Sequence, residues 1–219
     1  LDAWGFDCYH FHRSFTIYKY GRNDLGIEKN DKTFYCIKKA ASFSFIYFLH
    51  SSFPGGAERS SFDTTKNLIS KYGAVAMAVM PRYGPMVQQY RDIGVPVLLL
   101  EYSWWAQNVT QSDLSNSVKN IMANKKEIEK INPDLVFTQT IVIPWGALVA
   151  LMIKKPHIWN IREYGEKDHG ISFVYKFADM LGIIEHFSIY ITTCGKKLKD
   201  DLFPRSEERR VGKECRSRW

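Results

Sequence analysis

The sequence predicts an α/β protein built on a doubly wound parallel sheet. Two observations carry that expectation. From Phe43 onward, short apolar runs alternate with longer amphipathic ones, the pattern left by successive βα units. Six such strand-like runs fall within roughly 160 residues, a length that suits one domain.

Residues 43–50 (FSFIYFLH) read as a buried first strand. It runs into a loop over 51–56 (SSFPGG), where Pro54 and two glycines widen the backbone's choices. Residues 57–71 read as a helix with Phe62, Leu68 and Ile69 near one face and Gly73 as its stop. Residues 74–80 (AVAMAVM) give the second strand, 84–93 a short helix and 95–102 (VPVLLLEY) the third strand. Pro96 pushes that third strand toward an edge or an entry position. One long helix is expected over 112–131, with Ser112 as its N-cap and Asn132-Pro133 closing it. Residues 134–139 give the fourth strand, 145–154 a largely apolar helix and 157–162 the fifth strand. A polar loop over 163–170, a helix over 172–185, a sixth strand over 188–193 and a helix beginning at 196–202 complete the series. Strands joined by helices in this way define a Rossmann-like domain over residues 43–204.

The two ends break the rhythm. Residues 1–40 are aromatic and polar with weak alternation, as Trp4, Phe6, Tyr9, Phe11, Phe15, Tyr18 and Tyr20 show. They are expected to be the remnant of a preceding domain or a linker. Residues 205–219 (RSEERRVGKECRSRW) have no apolar period and closely resemble, over their whole length, the conceptual translation of a sequencing-adapter oligonucleotide. An artefact tail is the expectation there, and a genuine basic arm the alternative. That tail holds six basic and three acidic residues, so the formal charge of +7 falls to +4 without it. A strongly basic chain invites a nucleic-acid partner; with the tail set aside, no nucleic acid is expected.

Cys8, Cys36, Cys194 and Cys215 are far apart with no CxxC pair, which argues against a zinc site and against a disulfide framework. No metal is expected, and a reducing cytoplasm is the default compartment. The chain begins at Leu1 with no secretory leader pattern. Its longest apolar stretches (43–49, 95–100 and 141–153) are too short for a bilayer span or are broken by Pro and Gly.

Ligands of open α/β sheets bind at the carboxyl ends of strands, so three post-strand loops are the candidate sites. The first, 52–59 (SFPGGAER), pairs Gly55 and Gly56 before a helix N-terminus. It reads either as a tight βα turn or as a cradle for phosphate, and it matches neither the GxGxxG nor the GxxxxGK[ST] fingerprint. The second, 162–169 (REYGEKDH), gathers Arg162, Glu163, Glu166, Asp168 and His169. That set suits hydroxyl-rich or phosphorylated ligands, or equally a solvated polar loop. The third, 192–195 (TTCG), offers Cys194 without an identifiable base, so a packed cysteine is favoured over a nucleophile. Trp104-Trp105 reads as a loop anchor or a stacking platform for a sugar ring. His10 and His12 lack a third ligand nearby, and Asn108-Val109-Thr110 is a glycosylation sequon relevant only to a secreted protein.

The run FSFIYFLHSSFPGGAERSSFDTTKNLISKYG closely resembles the opening of the acceptor-side domain of glycosyltransferase family 4. The resemblance continues in order through INPDLVFTQT, KKPHIWNIREYGEKDHG and SIYITTCGKKLKDDL, covering roughly residues 43–204. It implies the N-terminal half of a GT-B fold, in which two Rossmann-like domains face each other across a cleft and a sugar passes from a nucleotide diphosphate sugar with retention and usually without a metal. On that resemblance Gly55 and Gly56 lie beside the donor diphosphate, Arg59 lies near the cleft or on the first helix, and Arg162, Glu163 and His169 face the cleft, the acceptor or the reacting sugar. Many relatives carry a His where this chain reads Arg162-Glu163. The family's second domain, with its carboxylate pair, has no counterpart after Pro204, so the catalytic residues are unknown. Residues 10–40 resemble, more faintly, the closing segment of family 2 glycosyltransferases.

The expected function is therefore that of a hexosyltransferase fragment, itself inactive. Its parent would act on a glycan or lipid-linked acceptor in polysaccharide or cell-envelope glycan synthesis. Its partners would be the nucleotide sugar, that acceptor and the missing C-terminal domain, with no cofactor beyond the donor. The location expected is cytoplasmic, with peripheral contact at the inner face of the cell membrane. The alternative is a Rossmann-like module that binds a nucleotide or glycan without chemistry.

Overall fold

A computed structural model describes residues 16–19, 43–106, 108–204 and 207–209. In chain order the elements are β1 (Thr16–Lys19), β2 (Ser44–Phe48), α1 (Gly56–Tyr72), β3 (Val75–Met80), α2 (Pro85–Asp92), β4 (Val97–Leu99), α3 (Gln111–Ala123) and α4 (Lys125–Lys130). They continue with β5 (Leu135–Gln139), α5 (Trp145–Met152), β6 (His157–Ile161), α6 (Glu166–His169), α7 (Phe177–Phe187), β7 (Tyr190–Thr193), α8 (Lys196–Leu202) and β8 (Glu207–Arg209).

The strands form one sheet in the order β4-β3-β2-β5-β6-β7-β1-β8. All neighbours from β4 to β7 are parallel. These six strands have the 3-2-1-4-5-6 order of a doubly wound Rossmann-like fold, as the apolar pattern predicts. Two strands beyond the six expected lie at one margin: β1 runs antiparallel to β7, and β8 antiparallel to β1. The rest of residues 1–42, with His10 and His12, lies outside the described residues.

Strand alternation divides the core into two layers. Ile46, Phe48, Val136, Trp159 and Ile191 pack on one face with Leu114 and Ile121 of α3, Val149 of α5 and Met180 of α7. Phe45, Tyr47, Leu135 and Ile158 pack on the other with Leu68 of α1 and Met86, Val87 and Tyr90 of α2. Helices on both faces bury both sides of the strands, which is why those strands read as continuous apolar runs.

Several boundaries depart from expectation, each for a local reason. The long helix over 112–131 is two helices. It breaks at Asn124 (φ −98°, ψ 7°), and the N-cap is Thr110 rather than Ser112. Thr110 Oγ1 accepts the Asp113 N–H while the Asp113 carboxylate accepts the Thr110 N–H, a capping box that satisfies two orphan donors together. The third strand shrinks to Val97–Leu99 at the sheet edge, because Pro96 has no N–H for a ladder. The polar loop after β6 contains the short helix α6, stopped by Gly170 at φ 61°. The helix expected from residue 172 starts at Phe177; before it, Phe173 bridges to Ala106 and the Val174 N–H donates to the Trp105 carbonyl.

Candidate functional site

Strand order reverses between β2 and β5. The connections leaving their carboxyl ends therefore part to opposite sides and open a crevice. A cavity of about 630 Å³ occupies that position, within the range of small-molecule sites. Its walls come from four places: His50 and the Gly55–Gly56 loop after β2, Trp104 after β4, Thr140 after β5, and Arg162, Glu163 and His169 after β6.

A buried polar network ties the strands behind the site together. Tyr47 Oη donates to Gln139 Oε1 at 2.8 Å, and Asn160 Nδ2 donates to the same oxygen at 2.7 Å and to Tyr47 Oη at 3.1 Å. Gln139 Nε2 donates to the Ala57 carbonyl at 2.8 Å, tying β5 to the first turn of α1. Burial pushes the Tyr47 phenol up to about 12, so it remains a neutral donor. The chain then turns at Thr140, whose φ of 71° is costly for a β-branched residue, on the order of 1–3 kcal/mol. Bonds from the Thr140 N–H to the Asn160 carbonyl and from Trp159 Nε1 to the Thr140 carbonyl hold that conformation.

At the rim, α1 begins with Gly55 as N-cap and no side-chain cap. The amides of its first turn have no intrahelical partner, which makes them donors toward the cavity. Glu58, in that same turn, is 2% exposed. Its Oε1 lies 2.8 Å from Nδ1 of His50 but off the line of a hydrogen bond, so the contact is electrostatic. Trp104 holds His50 from the other side: its Nε1 donates to the His50 carbonyl at 3.2 Å, and its ring centroid is 5.5 Å from the imidazole's. Trp105, by contrast, is buried, with Nε1 donating to the Ile141 carbonyl and its ring stacked on Trp159.

Across the cavity, Arg162 Nη1 donates to Ser60 Oγ of α1 at 2.9 Å. Glu163 Oε1 accepts the Ile141 N–H at 2.6 Å. Desolvation raises the Glu163 carboxyl above the usual carboxylate range, opposed by the Ile141 bond and by the nearby His50. The loop carrying these residues is anchored by Tyr164, whose Oη donates to Asp201 Oδ2 at 2.7 Å. That bond is the main reason the phenol rises to about 12. Behind it, Cys194 Sγ donates to the Arg162 carbonyl at 3.2 Å and packs against the core, the arrangement of a structural cysteine.

Of the residues singled out from sequence, Gly55, Gly56, Arg162, Glu163 and His169 come together at this cavity. Arg59 does not. It is exposed on α1, one helical step from the inward face marked by Glu58, Ser61, Thr65 and Leu68. Sequence reasoning missed His50, Glu58 and Thr140. A usable signal was present: an imidazole closing an apolar strand, and a carboxylate in the first turn of a helix facing it. Among the described residues no cluster of three His, Cys, Asp or Glu side chains could hold a metal ion.

Fold and cavity together define a Rossmann-like α/β protein with a polar cavity at its topological switch point. No protein-family model matches the chain. No curated protein sequence matches it either. Among solved structures it is similar to HepE of Anabaena in complex with UDP and glucose, at 14% identity and a TM-score of 0.46, over 66% of this chain and 35% of that one. It is also similar to MurG of Acinetobacter baumannii (12% identity, TM-score 0.42, 54% of this chain and 35% of that one). A third is a glycosyltransferase from Rickettsia africae (16%, 0.44, 55% and 30%). The chain thus spans about a third of the length of these proteins, and the likeness is one of fold.

Proposed function

We propose that the chain is the acceptor-side half of a two-domain glycosyltransferase of the GT-B type. In this reading its parent moves a hexosyl group, with retention, from a nucleotide diphosphate sugar to a glycan or lipid-linked acceptor during polysaccharide or cell-envelope glycan synthesis. The observation that carries the reading is the cavity itself. An uncapped helix N-terminus at Gly55–Gly56 and the Arg162 guanidinium offer donors suited to a diphosphate, while Glu163 offers an acceptor suited to sugar hydroxyls. The ordered resemblance to family 4 over residues 43–204 supports the same assignment.

The donor would need no further cofactor, and its leaving diphosphate would be stabilised electrostatically within a cleft closed by a second domain. The isolated half would bind without turning over. A cytoplasmic setting with peripheral contact at the membrane's inner face follows from a lipid-linked acceptor; among the described residues no helix is long and apolar enough to cross a membrane.

Gly56→Ala tests this directly. A Cβ at Gly56 meets nothing within 4 Å, so the variant should fold with unchanged or slightly higher stability, since Ala favours a helix over Gly. A methyl at the cavity rim should nonetheless weaken UDP-glucose binding, measured by calorimetry, about tenfold or more. Equal affinity in the two proteins would leave the paired glycines as a turn and remove the support for a diphosphate site.

A further inference from the structure

The contact between His50 and Glu58 has a protonic consequence. Nδ1 and Oε1 lie 2.8 Å apart, and both atoms are sealed from solvent. Two lone pairs at that separation repel, so the carboxylate electrostatically favours a proton on Nδ1 even though the N–H does not point along the line to Oε1. An imidazole nitrogen is a far better base than a carboxylate, which puts the proton on Nδ1. The ring nevertheless keeps 17% of its side chain exposed and belongs to the cavity wall. With Nδ1 buried, the exposed edge is the one that carries Nε2. Trp104 fixes that edge, through its bond to the His50 carbonyl and its packing on the ring, and forms an adjoining apolar wall. A polar acceptor beside an aromatic face suits a ligand that has hydroxyls on one side and C–H groups on the other.

From this we propose that His50 is a ligand-contacting residue: Glu58 fixes its proton on Nδ1, and Nε2 accepts a hydrogen bond from a hydroxyl of a sugar lying against Trp104. Glu58 is the positioning residue, acting through the imidazole. The proposal rests on the cavity's taking a sugar-containing ligand, and it adds a contact residue and a tautomer that the family resemblance does not supply.

The test is a long-range ¹H–¹⁵N correlation spectrum of the histidine side chains in the full chain, at about pH 8.5, above the ordinary imidazole range, before and after adding UDP-glucose. His50 should show Nδ1–H and an unprotonated Nε2 in the free protein. Glu58→Ala should shift the tautomer balance toward Nε2–H, and Glu58→Gln, which keeps a carbonyl acceptor, should restore much of the original. On adding UDP-glucose, the His50 Nε2 signal should move, and His50→Ala should weaken binding about tenfold with its fold intact by amide spectra. His50→Gln, with a side-chain acceptor, should recover part of the loss. A predominant Nε2–H tautomer in the native protein, or a tautomer indifferent to Glu58→Ala, overturns the proposal. If the Gly55 and Gly56 amides respond to UDP-glucose while His50 does not, the proposal fails and the proposed function survives. If neither responds, both fail.

Discussion

Glu163 Oε1 accepts the backbone N–H of Ile141 at 2.6 Å, so a side chain leaving β6 holds the loop that leaves β5. Removing the acceptor strands a buried amide. Glu163→Ala should therefore cost about 1–3 kcal/mol in urea unfolding. Glu163→Gln keeps an acceptor and removes a carboxyl that desolvation already disfavours as an anion, so its stability at neutral pH should stay near that of the native chain. Equal losses in the two variants would show that the charge, rather than the bond, matters.

His157 sets the acid limit. It is 2% exposed, with Nε2 2.7 Å from Thr138 Oγ1 and Nδ1 3.1 Å from Ser188 Oγ, and burial pushes its pKa down to about 3. An unfolded histidine titrates near 6.5, so protonation favours the unfolded chain. The contribution of neutral His157 is fully present above about pH 6.5 and is lost as the pH falls toward 3, on the order of a few kcal/mol across that window. Urea midpoints measured at successive pH values should fall more steeply for the native chain than for His157→Gln; parallel curves would count against the assignment.

Gly146 is a packing requirement. A Cβ there would collide with Thr138 Oγ1 and come within 3.2 Å of the Phe137 carbonyl and 3.3 Å of Phe48 Cβ. Thr138 cannot easily swing away, because its hydroxyl is bonded to His157. Gly146→Ala should thus destabilise by about 1–3 kcal/mol despite the better helix propensity of alanine. Thermal unfolding would show it, and a neutral or stabilised variant would mean that α5 can shift.

Cys194→Ser distinguishes a packed thiol from a nucleophile. Serine keeps a donor for the Arg162 carbonyl, so UDP-glucose affinity should be unchanged, with a modest stability loss from placing a hydroxyl against the core. A loss of binding larger than tenfold would reopen the thiol's role.

Strand and helix content was legible because the parallel strands inside the edge strand β4 are largely buried on both faces and so form runs that no surface pattern imitates. Pro96 correctly marked an edge. The break at Asn124 was hidden, since KKEIEK continues the helical pattern and only the local backbone at Asn124 divides it. Among site residues, those in composition-rich loops, such as Gly55, Gly56, Arg162 and Glu163, stood out. His50 and Glu58 did not, because each sits inside a segment whose length and apolarity already explained it. Their pairing depends on strand β2 and helix α1 meeting at one corner, which neighbouring letters do not encode. Arg59 illustrates the converse: it adjoins the motif in sequence but is turned about 100° from it on the helix.

The shortness of β4 bears on self-association. A sheet margin exposes a row of unpaired amides and carbonyls onto which another chain can add a strand. Here the margin is three residues long, because the proline before it has no amide to pair with β3, even though Leu99 at its end is 40% exposed. Restoring a donor with Pro96→Thr would let β4 pair with β3 from an earlier residue and so lengthen the open margin beside an apolar side chain, and the protein so altered would be expected to form β-rich aggregates at concentrations the native chain tolerates.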